Sequence, residues 1–435
     1  MASTYLTRTI STNNPTGRKT MTLSVWLKRA TASASNVIFA TGTGSERDMI
    51  LFETDGKIQF SRYDGSYIYQ LKTNRQFRDT SAWYHFVFVY DSTQSTSSDR
   101  LKIYVNGVQE TSFDTASYPS QDYQSNYSQS TYTQTLGRDT DGNFPFDGCM
   151  SHVHYVDGTA LTPSTFGETD ANGVWKINTS PSVTYGINGF FLFKNDNSAD
   201  DQSGNGNNFT VAGGTLTNTE DSPSNVFATL NPLVPIGGTY SNGNLAHTES
   251  GSSYRSAVST IGASSGKYYA ESKIGNGAGI INSEKGYGLM MSESARYLGV
   301  NTNSVGYYTG NLYYNATTQS GTWSSLTSGD IIMIALDIDN GYVYFGKNGT
   351  WQNSGDPTSG ASGTGGFALS NIDTGGTYFI GCSDVNGNES KINFGNGYFG
   401  TTAVASAGTN ASGIGIFEYD VPTGYTSLST KGLNL

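Results

Sequence analysis

Residues 83–112 read WYHFVFVYDSTQSTSSDRLKIYVNGVQETS, which is two apolar, aromatic-rich runs joined by a polar loop. Aromatic and β-branched residues favour the pleated surface of a sheet. Asn106-Gly107 lies between two strand-like runs, and this dipeptide is the strongest short-range indication of a two-residue hairpin turn. The stretch therefore predicts consecutive antiparallel strands with no helix between them.

The same pattern extends toward the N-terminus. MTLSVWLKRA (residues 21–30) alternates, with Leu23, Val25 and Leu27 on one face. Runs of strand character follow at short intervals, separated by glycine-containing turns. Short strands at this spacing are typical of a sandwich or barrel.

The second half has the same design without repeating the sequence. GDIIMIALDID (329–339) is a nearly continuous apolar strand, and YVYFGKNGTWQ (342–352) follows it with a turn at Asn348-Gly349. GYGLMMS (286–292) alternates as a further strand would.

Residues 216–236 separate the halves and contain three prolines among Asn, Ser and Thr, which indicates a linker. We therefore predict an all-β chain of two antiparallel jelly-roll, concanavalin-like sandwiches in series. The first spans residues 1–215 and the second spans residues 237–435.

The composition argues against several functions. A formal net charge of −11 disfavours binding to nucleic-acid phosphates, and no apolar stretch is long enough for a membrane span. Cys149 and Cys382 fall in different predicted domains, each in a strand-like run. We therefore expect two buried free thiols rather than a disulfide.

Three segments resemble known proteins. The stretch at 83–112, together with FDGCMSHVHYVDG (146–158), looks like the laminin-G-like, concanavalin-type jelly roll. SGKYYAES, GDIIMIALDIDNGYVYFGKNG and KINFG resemble the SPRY domain. The segment between them, from YVDGTALTPSTFGETDANGVW to FATLNP, is similar to segments of tail-fibre and virion proteins of marine-type tailed bacteriophages. Both folds carry many functions, so the ligand is not implied.

Aromatic residues in loops are the candidate contact residues. Tyr118, Tyr123, Tyr127 and Tyr132 lie in a Ser/Gln/Asn-rich tract whose composition is like that of antibody binding loops. Tyrosines covering a sheet edge is the alternative for this tract.

Trp323 and Trp351 lie in or beside turns of the second half. In SPRY-like domains the loops at one end form the partner surface, so the resemblance points to this region. A tryptophan packed under a loop is the alternative here.

Calcium is the one cofactor that the sequence suggests. Asp200 and Asp201 first, and Asp139 and Asp141 second, lie in acidic turns rich in the oxygen ligands that Ca²⁺ takes. The laminin-G-like resemblance implies that some members hold Ca²⁺ at a sandwich rim. Asx-rich turns also arise without a metal.

Catalysis is not predicted. Some concanavalin-type glucanases carry Glu-x-Asp-x-x-Glu along one strand for glycoside hydrolysis, and the sequence lacks this pattern. His152 and His154 would share a strand face, as two metal ligands could, but with no partner of motif quality we expect a packed or half-exposed pair.

The resemblances together imply a non-enzymatic phage virion protein, made in the host cytoplasm, that recognises a host cell-surface glycan or protein as a tail fibre or capsid fibre. We expect it to form a homo-oligomer and to contact other virion proteins, with neither nucleic-acid binding nor membrane insertion. One alternative is a structural decoration or joining protein, and another is a polysaccharide depolymerase.

Overall fold

The structure is a computed structural model that describes residues 4–234, 237–282, 297–372 and 376–435. The chain divides into two compact units, Met1–Asn218 and Thr219–Leu435. The described residues form β-strands and five short 3-10 helices: Ser97–Asp99, Pro163–Thr165, Gly360–Ser362, Leu369–Ile372 and Gly432–Asn434. Among them no helix combines the length and apolar character needed to cross a membrane. The predicted strand at 286–292 lies outside the described residues.

The strands of the first unit are β1 Tyr5–Thr9, β2 Thr20–Arg29, β3 Asn36–Thr43, β4 Glu46–Phe52, β5 Lys57–Asp64, β6 Tyr67–Gln76, β7 Tyr84–Asp91, β8 Leu101–Val105, β9 Val108–Gln109, β10 Phe113–Ser117, β11 Thr133–Leu136, β12 Gly148–Asp157, β13 Gly167–Thr169, β14 Trp175–Ile177, β15 Phe190–Leu192 and β16 Thr210–Gly213.

The strands of the second unit are β17 Thr239–Ser241, β18 Ala246–Glu249, β19 Arg255–Val258, β20 Lys267–Lys273, β21 Gly277–Asn282, β22 Ser304–Tyr308, β23 Asn311–Tyr314, β24 Thr317–Thr318, β25 Ile331–Asp337, β26 Tyr342–Lys347, β27 Thr350–Trp351, β28 Phe367–Ala368, β29 Tyr378–Asp384, β30 Asn388–Asn393, β31 Tyr398–Phe399, β32 Thr402–Ala403 and β33 Thr426–Ser427.

The first unit is a sandwich of two antiparallel sheets. An eight-stranded sheet has the order β10-β6-β5-β4-β3-β11-β1-β16, and a six-stranded sheet has the order β15-β12-β2-β7-β8-β9. Leu23, Val25 and Leu27 of β2 all join the apolar core between the sheets, as the alternation predicted. Phe60 of β5 meets Phe88 of β7 edge-on across that core, with ring centroids 5.8 Å apart.

The second unit is also a sandwich. Its larger sheet runs β17-β18-β30-β20-β25-β26-β27, with β28 beside β26 and β33 beside β20; the smaller sheet runs β19-β29-β21-β22-β23-β24. Ile332 and Ile334 of β25 share one core with Ile280 of β21 and Ile380 of β29. The all-β, two-sandwich fold class is therefore confirmed.

The described part of the predicted linker, residues 216–234, contains buried residues of the second unit. Phe227, Ala228 and Leu230 are fully or almost fully buried, and the second and third belong to the core of the second unit. Bridges join Phe227 to Ser429 and Leu230 to Ser259. Proline and asparagine exclude regular strands here, but the apolar residues among them are buried all the same.

In each unit, the first and last segments of the chain lie next to each other. In the first unit, β1 pairs with β16 near the exit, Leu6 opposite Val211. In the second unit, the Thr430 amide donates to the Val226 carbonyl at 2.9 Å, close to both limits of the unit.

Both predicted Asn-Gly turns have the expected backbone. Asn106 and Gly107 have φ values of 48° and 82°, and Asn348 and Gly349 have 48° and 84°. Positive φ at both central residues is the geometry of a type I′ turn, whose twist matches that of the flanking strands. A side chain on Gly349 would also meet the Tyr419 ring, because an added Cβ would lie 3.1 Å from Tyr419 Cδ1.

Replacing Gly349 with valine is expected to destabilise the second unit by about 1–3 kcal/mol, because a β-branched residue is strained at this φ. Thermal unfolding measures the change. The control is Thr350→Val, which adds a β-branched residue one position on, in β27. Equal melting of Gly349→Val and the parent would contradict this account of the turn.

Neither cysteine forms a disulfide, as predicted; Cys382 is buried as expected, but Cys149 is only half-buried.

Candidate binding sites

The tyrosine tract of the first unit is only partly a surface loop. Tyr118 and Tyr123 are half-buried and pack against the core, and the Arg62 guanidinium lies 5.8 Å from the Tyr123 ring centroid. Tyr132 donates a hydrogen bond to Glu46 at 3.2 Å. These three tyrosines keep partly exposed rings.

Tyr127 does not fit its predicted role as a contact residue. Its side chain is fully buried, and its ring stacks at 6.2 Å on Phe39 and meets Tyr90 edge-on at 6.1 Å. The ring fills space between the two sheets, so it is a core residue and presents no surface to a ligand.

Asp48 holds this tract against the sheet. One carboxylate oxygen accepts hydrogen bonds from the Asn126 amide at 2.8 Å and from Arg62 Nη1 at 3.0 Å, and the other accepts from the Tyr69 hydroxyl. The side chain is fully buried, and this desolvation raises the pKa of Asp48. The contact fixes the backbone beside Tyr127 and so orders the tract before any ligand arrives.

Asp201 organises its turn through four hydrogen bonds. Its carboxylate accepts from the amides of Phe191, Ser203 and Asn207, each at 2.9 Å, and from the Ser203 hydroxyl at 2.8 Å. Asp200 is exposed, and among the described residues its carboxylate accepts only from the Ser198 hydroxyl. A calcium ion on Asp201 would compete with these donors.

The second acidic turn is organised in a similar way. Asp139 Oδ1 accepts from the amides of Asp141 at 3.1 Å and Asn143 at 2.6 Å. Arg47 forms an ion pair with Asp141 and lies 3.8 Å from Asp139 Oδ2. A cation is therefore already present beside both carboxylates, and calcium binding at either turn stays a prediction.

We expect Asp201→Ala to destabilise the first unit by about 2–3 kcal/mol, because it leaves three backbone amides without their acceptor. Asp200→Ala is the matched control, and its effect should stay within about 0.5 kcal/mol. Melting with calcium and with chelator, for the parent and both variants, measures both effects. A chelator-dependent loss in the parent that Asp201→Ala abolishes would instead establish a calcium ion there.

The two histidines of β12 form a packed pair. The His154 ring stacks on Phe191 with centroids 3.9 Å apart, and the His152 ring lies 5.6 Å from the same phenylalanine. Burial lowers the pKa of His152 to about 4. Both side chains serve packing.

Trp323 packs under its loop. Its ring lies 5.4 Å from that of Tyr307 against the core of the second unit. The indole nitrogen is buried and has no hydrogen-bond partner among the described residues. Of the two interpretations of Trp323, contact residue or tryptophan packed under a loop, its position fits the second.

Trp351 borders a cleft of about 410 Å³ on the second unit. Buried Pro357 and Val421 and half-buried Trp351 supply its apolar surface, and exposed Asp356 and Asp420 supply its charge. Trp351 is held edge-on against Tyr269, with ring centroids 6.4 Å apart. The cleft therefore combines a fixed aromatic ring with two carboxylates.

Both carboxylates are ionised and each keeps one oxygen for a ligand. Asp356 Oδ1 accepts from the amide and hydroxyl of Thr358, at 2.9 and 2.6 Å, and Asp420 Oδ1 accepts from the amide and hydroxyl of Thr409, at 2.7 and 2.8 Å. These hydrogen bonds lower the pKa of each carboxyl below its usual value. The Oδ2 atoms have no hydrogen-bond partner within the described ranges.

Glu271 anchors one wall of the cleft. Its two carboxylate oxygens accept from the amides of Tyr419 and Glu418, each at 2.8 Å, and from the Tyr269 hydroxyl at 3.0 Å. The side chain is fully buried, and burial raises the pKa of Glu271 to about 7. The segment carrying Asp420 is thereby fixed to the sheet.

The sequence pointed to Trp351 but not to its polar partners. Asp356 and Asp420 come from two irregular segments separated by β28 to β32. An Asp followed two residues later by Thr, as in Asp356-Pro357-Thr358, is a signal only for a local turn. No spacing in the sequence relates the two carboxylates to each other.

Comparison with known proteins gives two family matches. The model described as the concanavalin A-like lectin/glucanases superfamily matches residues 3–165, and the SPRY domain model matches residues 281–397. The predicted laminin-G-like and SPRY resemblances are confirmed. No curated protein sequence matches the chain.

Solved structures similar to this chain include the SPRY domain of human HERC1, with 21% identity and a TM-score of 0.26, covering 34% of this chain and 87% of that one. The native heptameric SAP-like pentraxin from Limulus polyphemus has 16% identity and a TM-score of 0.28, covering 37% and 72%. Domains LG4-5 of the mouse laminin α1 chain have 10% identity and a TM-score of 0.28, covering 87% and 78%.

Proposed function

We propose that this chain is a non-enzymatic binding protein that recognises a host cell-surface glycan or protein, displayed on a tailed-phage virion as a tail fibre or capsid fibre. Matches to lectin-like laminin G and SPRY domains support binding or recognition. The proposed virion setting rests on one resemblance: the segment that begins YVDGTALTPS and ends FATLNP is similar to phage proteins. The observation that carries the binding role is the Trp351 cleft.

The chemistry of the cleft favours binding over hydrolysis. A glycosidase needs one carboxyl group that stays protonated near neutral pH to donate a proton to the leaving group. The pKa values of Asp356 and Asp420 are both lowered, so neither holds that proton. An aromatic ring beside two open carboxylate oxygens instead suits the apolar face and the hydroxyl or amine groups of a sugar or a polar side chain.

Multiple copies would make weak sites effective. Linking binding events raises avidity by orders of magnitude without new contacts when geometry permits simultaneous engagement. We therefore propose a homo-oligomer on the virion, in contact with other virion proteins.

Trp351→Ala is expected to weaken adsorption of the purified protein to host cells about tenfold, equivalent to about 1.4 kcal/mol. Asp420→Asn keeps Oδ1 for Thr409 and removes the charge, so it should weaken adsorption with little change in melting. The control is Tyr67→Ala, which removes an exposed ring of the first unit. Adsorption and glycan-array binding are the measurements.

Parent-like adsorption by both cleft variants would contradict the cleft as the recognition site. Binding to virion proteins without binding to cells would establish the decoration or joining role. Release of reducing sugar from host polysaccharide would establish a depolymerase.

A further inference from the structure

A cluster of three metal-ligating side chains lies inside the second unit. His247 is in β18 of the larger sheet, and Cys382 and Asp384 are in β29 of the smaller sheet. All three are completely buried, and one ligand atom from each lies within 4.8 Å of the others. Cys382 and Asp384 are two residues apart and share a strand face, so the cluster spans the interior between the sheets.

Neighbouring hydrogen-bonding groups hold His247 and Asp384 as the ligands of a metal site are held. His247 Nε2 faces the Gly237 carbonyl at 3.3 Å, and Nδ1 faces Asp384 Oδ2 at 2.9 Å. The Ser390 hydroxyl donates to the other oxygen of Asp384 at 2.7 Å. A metal-bound histidine typically donates its second ring N–H to a carbonyl or carboxylate, and bound carboxylates are themselves hydrogen-bonded.

The short contact between His247 and Asp384 needs a proton or a cation between the two side chains. Both ring nitrogens face acceptor oxygens, so a neutral imidazole with one proton would leave one lone pair pointing at an oxygen. One proton shared by His247 and Asp384, or a cation bound between them, removes this repulsion. A divalent cation bound to the Cys382 thiolate and the Asp384 carboxylate has no net charge, which suits a fully buried position.

Tyr240 lies beside His247. Its ring meets that of His247 edge-on, with ring centroids 5.2 Å apart. The phenol oxygen is buried and has no hydrogen-bond partner among the described residues. Tyr240 thus packs against one residue of the cluster while its buried phenol oxygen makes no hydrogen bond to a described residue.

We propose that His247, Cys382 and Asp384 bind one zinc ion within the second unit. Nitrogen, sulfur and carboxylate oxygen are the ligands that zinc takes in proteins, and thiolate favours zinc over calcium or magnesium. On binding, the ion replaces the thiol proton of Cys382 and the proton between His247 and Asp384. Both protons leave to solvent, with no change of oxidation state. Because the ligands are buried, the ion binds as the unit folds.

Refolding the full chain with one equivalent of Zn²⁺ or Co²⁺, against refolding in chelator, tests the proposal. We expect one ion per chain after desalting, a higher melting temperature of the second unit, and a sulfur-to-cobalt charge-transfer band with Co²⁺. Cys149→Ser leaves Cys382 as the sole thiol and should keep all three signals. Cys382→Ser should lose the band and the bound ion.

Two results would overturn the proposal. One is the absence of the charge-transfer band and of bound zinc in the Cys149→Ser variant, a readout that does not depend on whether Cys382→Ser folds. The other is a Cys382→Ser variant that folds and retains the ion with the parent affinity. Neither result bears on the Trp351 cleft, which shares no residue with this cluster.

Discussion

Glu271→Ala is expected to lower the free energy of unfolding of the second unit by about 3–5 kcal/mol. The substitution leaves the half-buried amides of Glu418 and Tyr419 and the buried hydroxyl of Tyr269 without their acceptor. Each lost acceptor costs about 1–3 kcal/mol when the donor is fully buried, and less for the two half-buried amides. It also releases the cleft wall that carries Asp420. Thermal unfolding of the full chain, with hydrogen exchange of β20 identifying the transition, measures the loss.

The raised pKa of Glu271 also predicts how the stability of the second unit depends on pH. Its pKa is about 7 in the folded unit, against 4.5 as the ordinary value. Between these pH values the folded state binds more protons than the unfolded state, so stability falls as pH rises. The contribution is fully present below about pH 4.5 and is lost by about pH 7, a difference of about 3 kcal/mol.

Glu271→Gln isolates this contribution, because glutamine has a similar size and does not titrate. Subtracting its pH profile from that of the parent removes the effects of all other groups. The difference should decline from pH 4.5 to 7 and be flat outside that range. A difference that is constant with pH would show that the pKa of Glu271 is the same in the folded and unfolded states.

Asp48→Ala should destabilise the first unit by a similar amount, about 3–5 kcal/mol, because it leaves the guanidinium of Arg62 buried without its counter-charge. Arg62 is only 6% exposed. The substitution also removes the acceptor of the Asn126 amide, so amide hydrogen exchange should accelerate across residues 118–132. These two effects should appear together.

The matched control for Asp48→Ala is Glu46→Ala. Glu46 also faces Arg62, at 3.8 Å, but its side chain is 42% exposed. Its loss should cost no more than about 1 kcal/mol. Equal effects of the two substitutions would contradict the assigned role of burial.

Local features of the fold were predictable because neighbouring residues determine them. The alternation of Leu23, Val25 and Leu27 specifies which face of β2 is buried, and Asn-Gly dipeptides specify turns of positive φ. Both depend on backbone geometry within a few residues. The structure agrees at each of these positions.

Burial in irregular segments was not predictable in the same way. Tyr127 has the same sequence surroundings as Tyr123 and Tyr132, but the Asn126 amide next to it bonds to Asp48, which is distant in sequence. Phe227 and Leu230 lie among prolines and asparagines, whose backbone preferences say nothing about side-chain burial. In both cases long-range contacts override local composition.

The residues of the candidate sites also differ in whether a local sequence signal identifies them. Trp351 was identifiable because it lies close to a turn signal, Asn348-Gly349, in the sequence. Asp356 and Asp420, or His247 with Cys382 and Asp384, come together only when separate strands and loops have taken their places. Such sites combine residues that no short motif contains.

The pairing of β1 with β16 brings the first and last strands of the first unit together. The hydrogen bond between Val226 and Thr430 does the same near the ends of the second unit. A unit whose entry and exit lie side by side occupies a single gap in a host chain, since it adds no distance between the residues that flank it. Recombination can therefore insert either sandwich into a surface loop of another protein without separating the two ends of that loop. Independent reshuffling of the two sandwiches among unrelated chains is the evolutionary behaviour that this closure permits.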